Sequence, residues 1–193
     1  MPRLSKLYFQ KSQCLVALAF FVLMGVSSDL RAQDGGTAVV GGSYASLLFG
    51  SVDPSLPNFD REWSFGARGG LFLGSQIRLG AATFFYQSDI LSYGDLVDSK
   101  VQPILGEISY HLNDVFEGFY YGARAGLVYE EEVLSETGQK ATENEETFGI
   151  FGGLDLMATT TIGFGFEASY LYVLGEPKKY DIFSLSAYIT LFL

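Results

Sequence analysis

Arg68, Arg78, Glu107, Arg124, Asp155 and Glu167 fall on the small-residue side of segments whose other side is apolar. They are three of each sign. Glycines flank two of them at every second position, in Gly66-x-Arg68-x-Gly70 and Gly122-x-Arg124-x-Gly126, so a guanidinium has room to lie across a narrow enclosed space. An unpaired buried charge is very costly, and a paired, hydrogen-bonded set is the physical resolution. Such a set makes either a polar pathway or a static plug of ion pairs, and an interior just wide enough for side chains favours the plug. Segment order sets Arg78 beside Glu107, Glu107 beside Arg124 and Arg124 beside Asp155, and leaves Glu167 to meet Arg68 across the space. The single histidine, His111, shares a face with Ser109 and is the one candidate base beside a nucleophile. Glu130, Glu131, Glu132, Glu136, Glu143, Glu145 and Glu146, against Lys140, form an acidic stretch without the regular ligand spacing of a calcium loop.

The elements that position these residues begin after a leader. Arg3, Lys6 and Lys11 precede the apolar run Leu15 to Val26, a signal-peptide layout. That run is shorter than the roughly twenty residues a spanning helix needs. Cleavage is expected after Ala32, with Val26-Ser27-Ser28 as a second candidate, leaving residues 33–193 as one domain. Cys14 leaves with the leader, so disulfides and thiolate metal sites are excluded from the remainder. The leader removes four of 12 basic residues and one of 22 acidic ones, which leaves 8 against 21, a net charge of −13. That surface repels nucleic acid.

Beyond Gly35 the chain alternates with period two in segments of about ten residues, a strand pattern. Strands are expected near 38–49, 62–73, 76–86, 101–112, 119–130, 147–157, 161–173 and 181–193. The connections alternate in length: long at 50–61, 87–100 and 131–146, medium at 174–180, and short at Gly74-Ser75, Asn113–Gly118 and Ala158–Thr160. Pro103 is expected at a late strand onset or a bulge, since proline cannot donate to a ladder. The second strand carries Trp63, Phe65, Ala67, Gly69, Leu71 and Leu73 on one face and Ser64, Gly66, Arg68, Gly70 and Phe72 on the other. The fifth and seventh repeat the contrast, and none of the three apolar faces carries a charge. A soluble barrel would point charge outward and apolar residues inward. Here the charged face is too small and glycine-rich to be a solvated exterior. Trp63, Phe85, Tyr129, Tyr170 and Tyr172 gather near the long loops and Tyr110, Phe119 and Tyr121 near the short turns, the arrangement of two interfacial aromatic girdles.

A leader, eight strands and alternating loops resemble the small outer-membrane β-barrel superfamily, with its OmpA-type transmembrane domains, OmpX-like surface proteins and other porin-family members. The resemblance covers the chain beyond the leader. It implies an all-β, eight-stranded antiparallel up-and-down transmembrane barrel in the cell outer membrane, monomeric, contacting outer-membrane lipid. The final segment, Leu185 to Leu193, looks like the strand that the barrel-assembly machinery recognises, although Phe192 is penultimate where such strands end on an aromatic. The expected role is structural or in surface interaction, with at most a narrow conductance, no cofactor, no metal and no catalysis. Lys178-Lys179 could touch lipopolysaccharide phosphates. One rival is a lipid-modifying barrel enzyme, which would need its base near the outer leaflet, whereas His111 falls at the opposite end. The other is a soluble lipocalin-like carrier of an apolar ligand, which would show a charged exterior and a helix after its last strand.

Overall fold

The computed structural model describes residues 42–55, 61–92, 95–113, 116–134, 138–175 and 179–193. Eight strands follow one another: β1 (Ser43–Pro54), β2 (Glu62–Leu73), β3 (Ile77–Ser92), β4 (Asp95–His111), β5 (Gly118–Leu134), β6 (Lys140–Met157), β7 (Ile162–Val173) and β8 (Tyr180–Phe192). Each pairs antiparallel with its sequence neighbours, and β8 returns to β1, from Tyr44↔Phe192 to Pro54↔Ile182, to close the barrel. Closure leaves no open edge along the body of the sheet. The leader, positions 38–41 of the expected first strand, Glu136 and Lys178 lie outside the described residues.

The side-chain period of two sorts every strand into an inner and an outer set. Large apolar residues point outward from all eight strands, among them Leu47, Trp63, Leu79, Ile108, Leu127, Ile150, Phe166 and Ile189, each between 48% and 84% exposed. Arg68, Arg78, Glu107, Arg124, Asp155 and Glu167 all point inward, and so does Glu130. The polarity of a water-soluble protein is inverted.

One end carries the short turns. Gly74 holds a φ of 83° in the β2–β3 turn and Gly118 a φ of 107° at the start of β5, conformations that glycine adopts at little cost. At the other end the strands run further than their alternation indicates. β1 continues through Pro54, into the expected loop at 50–61. The expected loop at 87–100 is mostly ladder, paired from Gln87↔Lys100 to Ser92↔Asp95. The acidic stretch is likewise a hairpin, with Glu130–Glu132 on β5 facing Glu143–Ala141 on β6. The reason is physical: alternation records the contrast between an apolar exterior and a small polar interior. Past the apolar belt that contrast fades while the pairing continues, as where Glu130–Glu132 face Glu143–Ala141.

Pro103 sits inside β4 with no bulge or late onset. The β3–β4 register is the same on either side of it, Thr83↔Ile104 and Tyr86↔Val101, and the ladder only skips the pairs between. The Thr83 hydroxyl donates to the Pro103 carbonyl at 2.8 Å, so the acceptor at that position is bonded although its N–H is missing.

Candidate functional site

The lumen is filled in three layers. At the loop end Val52, Phe84, Tyr86, Val101, Leu105, Val128, Leu171, Val173, Tyr180 and Ile182 form one apolar cluster. At the turn end Tyr44, Phe72 and Phe192 pack together with Phe116 and Met157. Between them lie the charges, beside a cluster of Leu48, Tyr120, Phe151 and Tyr188.

Arg68, Arg78, Glu107, Arg124, Asp155 and Glu167 come from six different strands, and none is more than 6% exposed. Arg68 and Arg124 share two carboxylates. Arg68 pairs with Glu167, and its Nε lies 3.7 Å from Glu107 Oε1. Arg124 Nη2 reaches Glu167 at 2.7 Å and Glu107 at 3.3 Å. Arg78 pairs with Asp155 in a second unit. This corrects two of the expected pairings: Arg78 meets Asp155, not Glu107, and Arg124 meets Glu167, not Asp155. Counting strands places neighbours along the wall, but in a narrow barrel a long guanidinium reaches across the lumen. Shear also shifts which residues lie level.

Tyrosines tie the units together. Tyr44 donates to Glu107 at 3.2 Å, Tyr120 to Glu167 at 2.9 Å and Tyr188 to Asp155 at 2.6 Å, while the Tyr188 and Tyr120 hydroxyls lie 3.0 Å apart. The guanidinium carbons lie 4.6 Å from the Tyr188 ring (Arg68), 5.1 Å from Tyr44 (Arg78) and 3.9 Å from Phe151 (Arg124). Those π faces add attraction where a low dielectric strengthens it. Each tyrosine crosses to a wall left bare by glycine. A Cβ on Gly80 would lie 2.6 Å from the Tyr44 hydroxyl, and one on Gly153 would lie 2.6 Å from that of Tyr120. Sequence reasoning missed these tyrosines. The available clue was the excess of glycine on the charged face.

His111 is fully buried, stacked on Tyr120 at 5.0 Å between ring centroids. Its Nε2 lies 3.3 Å from Ser109 Oγ and its Nδ1 lies 3.6 Å from Asp155 Oδ2, the order of a nucleophile, base and acid. The resemblance to a triad ends there. Ser109 is 6% exposed, and Asp155 is already engaged by Arg78 and Tyr188, so neither an accessible nucleophile nor a carboxylate dedicated to the imidazole is present.

The aromatic residues named from the sequence lie on the outer face. Trp63, Phe119, Tyr121, Tyr110, Tyr129 and Tyr170 are exposed. Phe85 and Tyr172 are half-buried, packed on Phe65 and Phe148 at 5.3 and 5.5 Å between ring centroids. Tyr110 and Tyr121 pair across β4 and β5 at 5.8 Å.

The fold is that of the small eight-stranded outer-membrane barrels. Neisserial surface protein A aligns over 78% of this chain and 95% of its own with 18% identity and a TM-score of 0.63. The attachment invasion locus protein of Yersinia pestis aligns over 79% and 98% with 12% identity and a TM-score of 0.57. OprG from Pseudomonas aeruginosa aligns over 79% and 96% with 12% identity and a TM-score of 0.55. The Yersinia protein has also been solved in complex with the heparin analogue sucrose octasulfate. No protein-family model and no curated protein sequence matches the chain.

Proposed function

We propose that the chain is a monomeric integral outer-membrane barrel that serves as a closed structural and surface element, without catalysis and without a solute-sized channel. The observation that carries this reading is the inverted polarity: large apolar residues cover the outside of every strand, while the lumen holds the charges. In water such a surface would aggregate; in a bilayer it is the stable arrangement. Against a lipocalin-like carrier stands the same exterior, and against a carried apolar ligand stands a lumen already filled by side chains.

The three arginines and three carboxylates of the middle layer balance, and apolar clusters flank that layer on both sides; at the loop end Glu130 is also buried, accepting from Ser99 at 3.1 Å and from Tyr180 at 3.5 Å. An ion entering would have to shed water against Val101, Val128 and Leu171. Trp63, Phe85, Tyr129, Tyr170 and Tyr172 anchor the loop-side interface and Tyr110, Phe119 and Tyr121 the turn-side one. β8 is the segment offered to the barrel-assembly machinery, and the leader directs export. The acidic rim of this barrel is a poor match for a polysulfate of the kind bound by the Yersinia protein.

The test is fractionation followed by electrophoresis with and without boiling. The protein is expected in the outer-membrane fraction, with a band that shifts only after heating. Recovery in the soluble fraction with no heat-dependent shift would overturn the reading.

A further inference from the structure

Four oxygens stand in a row across the middle layer. Asp155 Oδ1, the Tyr188 hydroxyl, the Tyr120 hydroxyl and Glu167 Oε2 follow one another at 2.6, 3.0 and 2.9 Å. Each of these contacts is close enough for a hydrogen bond, and each such bond takes a hydrogen of its own. The two phenols supply one hydrogen each, and ionised carboxylates supply none. With Tyr188 donating to Asp155 and Tyr120 to Glu167, the hydroxyl oxygens face each other at 3.0 Å with no hydrogen between them. The Leu154 carbonyl, 3.4 Å from the Tyr188 hydroxyl, is one more acceptor and brings no hydrogen. The missing hydrogen fits only on a carboxyl at one end of the row.

The charges around the row choose the end. Glu167 on β7 is held by Arg68 from β2 and Arg124 from β5, and Glu107 on β4 shares both arginines. Asp155 on β6 is paired with one guanidinium, that of Arg78 from β3. His111 on β4 stands 3.6 Å from Asp155 Oδ2 and stacks on Tyr120. The guanidinium of Arg68 lies against the Tyr188 ring, and that of Arg78 against the rings of Tyr120 and, from β1, Tyr44. An added proton meets two cations at Glu167 and one at Asp155, so it rests on Asp155. Asp155 then donates from Oδ1 to Tyr188, Tyr188 turns its hydrogen toward Tyr120, and Tyr120 goes on donating to ionised Glu167. Every contact in the row then holds a hydrogen.

We propose that Asp155, Tyr188, Tyr120 and Glu167 form a proton-binding site that fills on acidification, with the proton held by Asp155 and hydrogen-bonded through both phenols to Glu167. Filling makes one O–H bond on Asp155 and breaks one in hydronium, and nothing is oxidised or reduced. It leaves the middle layer with one positive charge in excess, so the filled state belongs to acid surroundings. The inference stands on the geometry of the lumen and goes beyond the membrane reading, so its failure would leave that reading intact.

The test uses the full barrel folded in lipid vesicles, with isotopic carbon labels in the carboxyl groups of aspartate and glutamate and in the hydroxyl-bearing ring carbon of tyrosine. Magnetic resonance spectra are followed from neutral to acid buffer, over the range in which the heat-dependent gel shift is kept. The Asp155 signal is expected to become that of a protonated carboxyl, with the Tyr188 ring signal moving in step and the Glu167 signal staying that of a carboxylate. Tyr120→Phe alters no charge and no bond of Asp155, yet it strands the Tyr188 hydrogen in the filled state. It should lower the affinity of Asp155 for the proton by about tenfold, the worth of one hydrogen bond. His111→Gln should keep uptake at Asp155. An Asp155 signal that stays ionised throughout, a proton on Glu167 or His111 instead, uptake lost in His111→Gln, or an Asp155 titration unmoved by Tyr120→Phe would each overturn the proposal.

Discussion

Glu167→Gln tests the lumen most directly, because Glu167 joins the two arginines of the larger unit. Its carboxylate pairs with Arg68, accepts from Arg124 at 2.7 Å and accepts from Tyr120 at 2.9 Å, all within a layer shut off from bulk water. The amide keeps the shape and one carbonyl acceptor but presents N–H donors to two guanidinium groups and leaves Glu107 to neutralise both. Removing one partner of a buried pair costs roughly 3–5 kcal/mol. With a urea slope of about 1–3 kcal/mol/M, a loss of about 3 kcal/mol lowers the unfolding midpoint by roughly 1–3 M. Arg124→Gln in the same chain restores the balance, since Arg68 and Glu107 remain as one pair at 3.7 Å. The double variant should therefore be more stable than the sum of the single effects by roughly 1–3 kcal/mol. Urea unfolding in lipid vesicles would read this through Trp63, the chain's single tryptophan, whose 84% exposed side chain faces outward. A single-variant loss below about 1 kcal/mol with an additive cycle would mean these charges are solvated as on a surface, and the sealed lumen would be refuted.

The remaining expectations follow from the same layers. Ile150→Arg, on the outer face between Ala123 and Tyr170, should cost roughly 2–4 kcal/mol of folding stability in bilayers, whereas Glu143→Arg on the hairpin beyond the belt should not impair insertion. Tyr188→Phe deletes the 2.6 Å bond to Asp155 and should lower stability by about 1–3 kcal/mol, measured by the same urea titration. In planar bilayers the protein should show no steady large conductance. Leu171→Ala, at a fully buried position of the loop-end cluster, should cost about 2–5 kcal/mol and leave the charged layer in place.

How far the sequence could be read depended on contrast. Where an apolar outer residue alternates with glycine, serine or a charge, as in Phe164-Gly165-Phe166-Glu167-Ala168-Ser169, strand and faces are both legible. In the loop-side half of the lumen the contrast disappears. Val101 and Leu105 share the parity of Glu107, and Leu171 and Val173 that of Glu167, yet apolar residues on both faces read as a uniformly hydrophobic stretch. The apolar cluster at the loop end was therefore missed, although its parity was present. The ion-pair partners were less accessible still. They depend on shear and on side chains crossing from Arg68 on β2 to Glu167 on β7, contacts separated by 99 residues. The placement of Tyr44 over Gly80 and Tyr120 over Gly153 is non-local in the same way.

The charged layer also bears on how the sheet finds its register. A strand that slips by one residue exchanges its faces. For β5 that would send Arg124 into the apolar belt and bring Ala123 and Ala125 inside. At roughly 2–4 kcal/mol for an arginine at the bilayer midplane, one such slip costs a large fraction of a typical domain's stability of about 5–15 kcal/mol. β2, β3, β4, β5, β6 and β7 each carry one of these charges. β1 and β8 carry none of the six, but Tyr44 and Tyr188 reach Glu107 and Asp155 from them and would lose those bonds in a slip. On the proposed membrane reading the exterior gains little from packing against equally apolar lipid, and inward charges that are tolerable only when paired supply the specificity that a hydrophobic core supplies in water. On this argument the network's first task is to make one register far better than its neighbours, and the closed lumen is a consequence of meeting it.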